Sequence, residues 1–308
     1  VTYLFSGRQQ KHLFEMDVFG EYQHRCGLTF STVNGQLNYW KTAIENNVFR
    51  LIKDIKSLDL APYDLVITDF EPITAWAAKF ANKPSLALGH QYAFDKNTPL
   101  AEESFLAKLI LRYFAPAQQK IGLHWSRYSP HVLPPIIDNS LVRVADDKRH
   151  NAVVVYLPFE NQQQVCDLLN GFPQYQFIQY SSELVSKQQG NVAQRAACLT
   201  GFKDDLCRSN GVICNSGFEL NSECLHLGLP ILTKPIKGQM EQESNALALS
   251  SLGLGQVMIE LDAEIIQQWL LTQHSFSKTK IPDVANAIVN WLLDSQRVPI
   301  STLADGLW

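Results

Sequence analysis

The chain has 308 residues, enough for about two domains, and 46% hydrophobic against 18% charged residues supply large cores, which excludes a disordered or collagen-like chain. Its 26 basic and 30 acidic residues leave a formal charge of -4, so no global basic field argues for a nucleic-acid partner. Six cysteines (Cys26, Cys166, Cys198, Cys207, Cys214, Cys224) include no C-x-x-C pair and read as buried thiols of a reducing compartment, with the cytoplasm as the expected location.

In chain order, residues 1–5 read as a strand followed by a turn at Ser6, Gly7 and Arg8. Residues 64–68 (DLVIT) form the next strand, a helix opens at Pro72, and residues 85–88 (SLAL) form another strand. These strands are nearly all apolar, as expected when helices cover both faces of a parallel sheet. Residues 99–119 carry a helical pattern, residues 130–139 (PHVLPPIIDN) are proline-rich, and 146–150 are charged. The domain boundary is placed there, giving an acceptor-side domain over 1–150 and a donor-binding domain over 151–308.

The second half repeats the grammar. Residues 152–157 (AVVVYL) read as a strand, 162–169 as a helix, 176–180 and 211–214 (GVIC) as strands, and 230–233 (PILT) as a further strand. Two α/β halves emerge, and the cleft between them, at the carboxyl ends of parallel strands, is the expected place for a ligand. No apolar run approaches the roughly 20 residues that span a bilayer, and no basic start precedes an apolar signal core. Because the chain opens on Val1 inside a strand, the intact protein is expected to have upstream residues.

The segment over 210–255 carries the chemistry. Ser216 can cap the helix that follows the GVIC strand, and Gly217 lets another group approach the backbone. A helix start at a strand end presents unpaired N–H groups and partial positive charge, so it can hold a diphosphate without a metal; the alternative is an ordinary capped helix. Over 218–227, Leu220, Cys224 and Leu227 form the buried stripe, with Glu219, Glu223 and His226 beside it. Ser216 and Glu219 match a capping box, which makes Glu219 a helix cap in the plain reading. Glu223, beyond the first turn, can accept two hydrogen bonds from a ribose diol or be a solvated surface carboxylate.

These residues, S-G-x5-E-x4-G-L-P (Ser216, Gly217, Glu223, Gly228, Leu229, Pro230) and the loop K-G-Q-M-E-Q-E-S-N-A over 237–246, resemble the donor-binding half of GT-B glycosyltransferases. The resemblance is in particular to family 28, the bacterial peptidoglycan N-acetylglucosaminyltransferases and their uncharacterised relatives. The resemblance implies two Rossmann-like parallel-sheet domains facing a cleft. It also implies Ser216 and Gly217 at the diphosphate, with Glu219 on the same helix start in the donor set, Glu223 on the ribose, and Glu241 with Gln242 facing the donor sugar. Where the family usually has Asp before that Gln, this chain has Glu241. By the same resemblance Phe202, read as lying in the loop before a helix over 204–209, is near the base, where the alternative is loop packing. Lys237 and Gln239 join the donor set, Lys237 against leaving-phosphate charge. The implied function is metal-independent, inverting transfer of a sugar from a nucleotide diphosphate, UDP foremost, to a hydroxyl acceptor, with no cofactor.

In the first half, Asp69, Phe70, Glu71 and Pro72 end one strand and Gly89, His90 and Gln91 end the next. Pro72 suits the first helical position, which makes Glu71 the N-cap and leaves Asp69 without a structural duty. His90 and Asp69 are the candidate catalytic groups, a base and its orienting carboxylate at the cleft, with structural pairing as the alternative. Glu71 and Gln91 are candidate acceptor contacts. The resemblance also indicates that a first strand and glycine-rich loop precede this sequence.

His24, His124 and His131 lack zinc spacing and read as structural, so no metal is expected. Lys108 and Arg112 among apolar residues can touch a membrane surface carrying a lipid-linked acceptor, or lie on a core-facing helix. The expected partners are therefore a UDP-sugar and a carbohydrate or lipid-linked acceptor of the cell envelope, at the cytoplasmic side with peripheral membrane contact. Trp40, Trp76 and Trp125 can stack on sugars or pack the core. No nucleotide-triphosphate loop or serine-hydrolase elbow is present. Two rivals remain: a nucleotide-sugar 2-epimerase, which usually has consecutive glutamates where this chain has Ser222 and Glu223, and a nucleotide-sugar-binding protein without turnover.

Overall fold

The computed structural model describes residues 1–7, 10, 13, 16–29, 32–33, 36–37, 46–101, 105–144, 152–272, 280–294 and 297–308. Trp40 and the charged run that marks the expected boundary lie outside them. In the first half, β1 (Tyr3–Phe5) pairs in parallel with β2 (Tyr22–His24), and β3 (Thr32–Val33) pairs antiparallel with β4 (Gln36–Leu37). Helix α1 (Val48–Ser57) then leads to β5 (Val66–Thr68), α2 (Pro72–Phe80), β6 (Ser85–Gly89), α3 (Phe105–Tyr113), β7 (Gln119–Leu123) and β8 (Val132–Leu133). Strands β5 to β8 form a four-stranded parallel sheet in sequence order.

Two expectations change here. The helical pattern over 99–119 yields a helix that ends at Tyr113, because Pro116 cannot continue it and Gln119 already opens β7. The proline-rich stretch is not a plain linker, since Val132 and Leu133 are fully buried in β8.

The second half comprises β9 (Ala152–Tyr156), α4 (Gln162–Asn170), β10 (Gln176–Ser181), β11 (Lys187–Gln189), β12 (Val192–Ala196), α5 (Leu199–Arg208), β13 (Gly211–Asn215), α6 (Phe218–Leu227), β14 (Ile231–Lys234), α7 (Met240–Ser251), β15 (Gln256–Val257) and α8 (Ala263–Leu271). Its seven strands run β11-β12-β10-β9-β13-β14-β15, all parallel except β11. The β11–β12 hairpin is absent from the sequence reading. Alternation along the central strands explains the layering: Val154, Val212 and Cys214 enter one core cluster, and Val153, Val155 and Ile213 enter the other. Strand order reverses between β9 and β13, which puts the ligand crevice at their carboxyl ends.

After this sheet, α9 (Val284–Leu293) and α10 (Ile300–Asp305) return to the first half. Val284, Ile288, Trp291 and Ala304 pack with Leu86, Ile121 and Leu133 of the four-stranded sheet, and Phe218 of α6 joins the same cluster. The end of the chain therefore packs against its first half. Of the cysteines, Cys166, Cys207, Cys214 and Cys224 are buried, but Cys26 and Cys198 are exposed, so the expectation of buried thiols fails for two of them. Cys198 is exposed because it ends a loop as the N-cap of α5. No helix among the described residues is long and apolar enough to cross a membrane.

Candidate active site

Strand β13 is wholly buried and delivers the chain at its carboxyl end to the turn at Ser216 and Gly217. The N-cap of α6 is Gly217 (φ -64°, ψ 143°) and no side chain caps it. The capping box expected of Ser216 and Glu219 does not form. Helical geometry starts at Phe218, Ser216 points into the interior with its Oγ unpartnered, and Glu219 is exposed. Asn221 holds the turn instead, donating from Nδ2 to the carbonyls of Asn215 (3.1 Å) and Gly217 (2.6 Å). A Cβ placed on Gly217 meets nothing within 4 Å, so the helix start is open. An uncapped, open helix start is suited to an anion.

Glu223 is half-buried on the second turn of α6. Burial raises its pKa, Lys203 opposes the shift, and Glu219 and Asp138 add to it. Its carboxylate has no hydrogen-bond partner among the described residues. Phe202 lies inside α5, not in a loop, because that helix starts five residues earlier than expected. Its ring meets Tyr156 and Tyr180 edge-on at 5.4 and 5.1 Å, so it packs against the core from a partly buried position.

Lys237 is exposed, and Gln239 is the N-cap of α7 without capping it by side chain. Glu241 faces the first domain, where it accepts from Gln91 Nε2 at 3.1 Å. Gln242 is buried, and its Oε1 accepts from the Ile236 backbone N–H at 3.1 Å, so the acceptor oxygen shapes the loop.

On the first domain, Asp69 follows β5, and the next residue, Phe70, is held at φ 47°, a left-handed conformation disfavoured for a bulky side chain. A Cβ on Gly89 would lie 2.5 Å from Asp69 Oδ1, so glycine is what lets the carboxylate settle over the end of β6. Asp69 is exposed at the end of β5. Partial burial, then Glu219 and Glu241, push its pKa up to about 6, which places it close to the second domain. Glu71 caps α2 as expected, but its carboxylate is consumed by Ile73 N, Thr74 N, Thr74 Oγ1 and Ser6 Oγ, leaving no lone pair turned to an acceptor.

His90 opens the 3-10 turn His90–Ala93 and is buried between the domains. Nδ1 contacts the Leu123 carbonyl at 2.8 Å and Nε2 contacts Asn245 Oδ1 at 2.6 Å, so neither ring nitrogen is free in this arrangement. Burial lowers its pKa, against the opposing pull of Glu241 and the two contacts.

Asn245, Lys234 and Glu160 carried no role in the sequence reading. Asn245 ends the K-G-Q-M-E-Q-E-S-N motif, yet its partners are invisible there. Trp125 donates from Nε1 to Ser222 Oγ at 2.8 Å, which makes this indole part of the domain seam; Trp76 packs partly buried in the α1–α2 cluster. Lys234 and Glu160, both nearly buried, form an ion pair at 2.7 Å across the ends of β14 and β9. Of the predicted residues, Gln91 thus meets Glu241 across the seam, His90 meets Asn245 and Phe218, and Asp69 lies in the field of Glu219 and Glu241, while the Glu71 carboxylate serves the scaffold.

A family model described as glycosyl transferase family 1 matches residues 1–273. The fold is similar to the solved structures of the glycosyltransferase SnogD from Streptomyces nogalater (15% identity, 88% of this chain and 90% of that one, TM-score 0.51) and of LpCGTa in complex with UDP (12%, 99% and 90%, TM-score 0.56). It is also similar to MurG from Acinetobacter baumannii (13%, 98% and 84%, TM-score 0.51). No curated protein matches the chain in sequence. The architecture is GT-B, two Rossmann-like domains facing each other.

Proposed function

The chain belongs to glycosyl transferase family 1, and from that premise we propose that it transfers the sugar of a UDP-sugar to an acceptor hydroxyl, releasing UDP, without a metal and with inversion. The carrying observation is the open, uncapped start of α6 at Gly217, with the unpartnered carboxylate of Glu223 on the following turn. The first offers backbone N–H groups to a diphosphate, the second two acceptor oxygens to a ribose diol. UDP in the structure of LpCGTa supports uracil as the base, and the partly buried Phe202 and Tyr156 provide an apolar wall for it.

In this reading Asp69 takes the acceptor proton as the acceptor oxygen attacks the anomeric carbon from the face opposite the diphosphate. The bond from that carbon to the phosphate oxygen breaks, and the leaving charge falls on the N–H groups at the start of α6. A raised carboxylate pKa suits a group that must accept a proton near neutrality. Glu241 faces the donor sugar, and the exposed Lys237 and Gln239 flank the loop. His90, with both nitrogens engaged, orients the seam. The resemblance to envelope enzymes supports a carbohydrate or lipid-linked acceptor at the cytoplasmic face. Exposed Leu109 and Tyr113 beside Arg112 on α3 support peripheral membrane contact.

The test is calorimetric titration with UDP, ADP and NAD, with and without chelator, on wild type and Glu223→Ala. The expected result is UDP-selective binding that survives chelation and weakens about tenfold in the variant, as for hydrogen bonds to a charged acceptor. Binding of ADP or NAD in place of UDP, or an unaffected variant, overturns the assignment.

A further inference from the structure

The turn that opens α6 is held partly from outside its own domain. Asn245, fully buried on α7, donates from Nδ2 to the Ser216 carbonyl at 2.9 Å and turns Oδ1 to His90 Nε2 at 2.6 Å. On the other shoulder of the turn, the Phe218 ring lies flat against the His90 imidazole, with centroids 3.9 Å apart and planes 7° from parallel. Ser216 and Phe218 flank Gly217, the open cap. One first-domain side chain therefore bears on both neighbours of that cap, through Asn245 on one side and by direct stacking on the other. His90 is itself anchored by Leu123 at the end of β7.

The orientation of the Asn245 amide is dictated by this arrangement. The Ser216 carbonyl can only accept, so the amide presents its NH2 group there and its oxygen to His90, whose neutral ring carries one N–H and donates it either to that oxygen or to the Leu123 carbonyl. Meanwhile Ser216 Oγ and Asn215 Oδ1, on the same turn, are buried with no hydrogen-bond partner among the described residues. Beyond the Asn221 tie from its own helix, the polar edge of the turn leans on Asn245.

We propose that Asn245 is a positioning residue for the donor diphosphate, holding residues 216–218 in the phosphate-binding geometry when His90 of the first domain is seated against it. The inference rests on the reading of that turn as the diphosphate site. Donor affinity and domain closure are then linked, and each strengthens the other by the same factor. The coupling passes through two named contacts and needs no movement inside the second sheet.

The experiment is calorimetric titration of UDP and of uridine into wild type, Asn245→Asp and His90→Phe, with thermal melts of all three. Asn245→Asp keeps size and the oxygen toward His90 but replaces the donor at the Ser216 carbonyl by an acceptor. His90→Phe keeps the flat ring on Phe218 and removes both ring nitrogens. The expected result is that each variant weakens UDP about tenfold while uridine, which lacks phosphate, changes less than about twofold. A general loss of structure would weaken both ligands alike, and that outcome overturns the proposal, as does unchanged UDP affinity. If the buried charge of Asn245→Asp prevents folding, His90→Phe decides by the same criterion. Wild-type protein that binds neither UDP nor uridine removes the donor-site reading itself, and this inference with it.

Discussion

Gln91 of the first domain donates from Nε2 to Oε2 of Glu241 on the second at 3.1 Å. In the proposed function Glu241 faces the donor sugar, so the first domain places an amide where a sugar hydroxyl is to bind. Gln91→Leu, similar in size, removes that competitor. A net hydrogen bond of about 1 kcal/mol corresponds to roughly a fivefold gain in UDP-sugar affinity, with UDP alone unchanged. Calorimetry with both ligands reads the difference, and weaker UDP-sugar binding in the variant counts against the placement of Glu241.

Asp69 has its pKa pushed up from 3.8 to about 6, by burial first and then by Glu219 and Glu241. As the proton acceptor it must be ionised. The wild-type kcat/KM is therefore expected to rise as pH climbs through about 6 and to level off above it. Asp69→Asn lowers kcat by about a hundredfold or more and loses this limb of the profile. Near-normal turnover in the variant would assign the proton to another group.

His124 is fully buried; its Nδ1 accepts from the Trp125 backbone N–H at 2.8 Å, and its Nε2 has no partner among the described residues. Burial, then the neighbouring His90, hold its pKa down at about 3 against an ordinary 6.5. The unfolded chain takes up a proton near 6.5 that the folded state refuses. Its contribution to stability is complete above 6.5 and is lost progressively as pH falls toward 3. Melting temperature measured across that window is expected to fall more steeply for wild type than for His124→Phe; parallel curves would show that the seam tolerates the charge.

Lys234 and Glu160 form their nearly buried pair at 2.7 Å over the end of β13. Lys234→Met leaves a buried carboxylate without its counter-ion, at an expected cost of about 3–5 kcal/mol in urea denaturation. The double variant Lys234→Met, Glu160→Leu is expected to recover most of that loss, because the desolvation of both ions disappears with them. Equal losses in single and double variants would mean that the stems, not the charges, hold the strand ends.

The strands on either side of the seam were legible in the sequence because their signal is local. A run such as GVICN between turn residues leaves few alternatives, and the S-G-x5-E-x4-G-L-P spacing marked α6 and its glycine start. Glu71 was legible as a cap because Pro72 follows it. Local patterns misled where two local rules competed. Ser216 and Glu219 spell a capping box, but Asn221 claims the turn and shifts the cap to Gly217. Phe202 follows loop-like residues, yet Cys198 starts the helix ahead of it.

By itself, then, the sequence determined the alternation of strands and helices, the helix that starts at Gly217 and the carboxylate on its second turn, since each depends on neighbours a few residues away. Only the tertiary structure decided what faces that turn. His90 and Asn245 are 155 positions apart, and α9 and α10 pack on Leu86, Ile121 and Leu133, on strands of the other half of the chain. Residue type records that a side chain can donate or accept a hydrogen bond, but the partner is chosen by how two separately folded sheets come together.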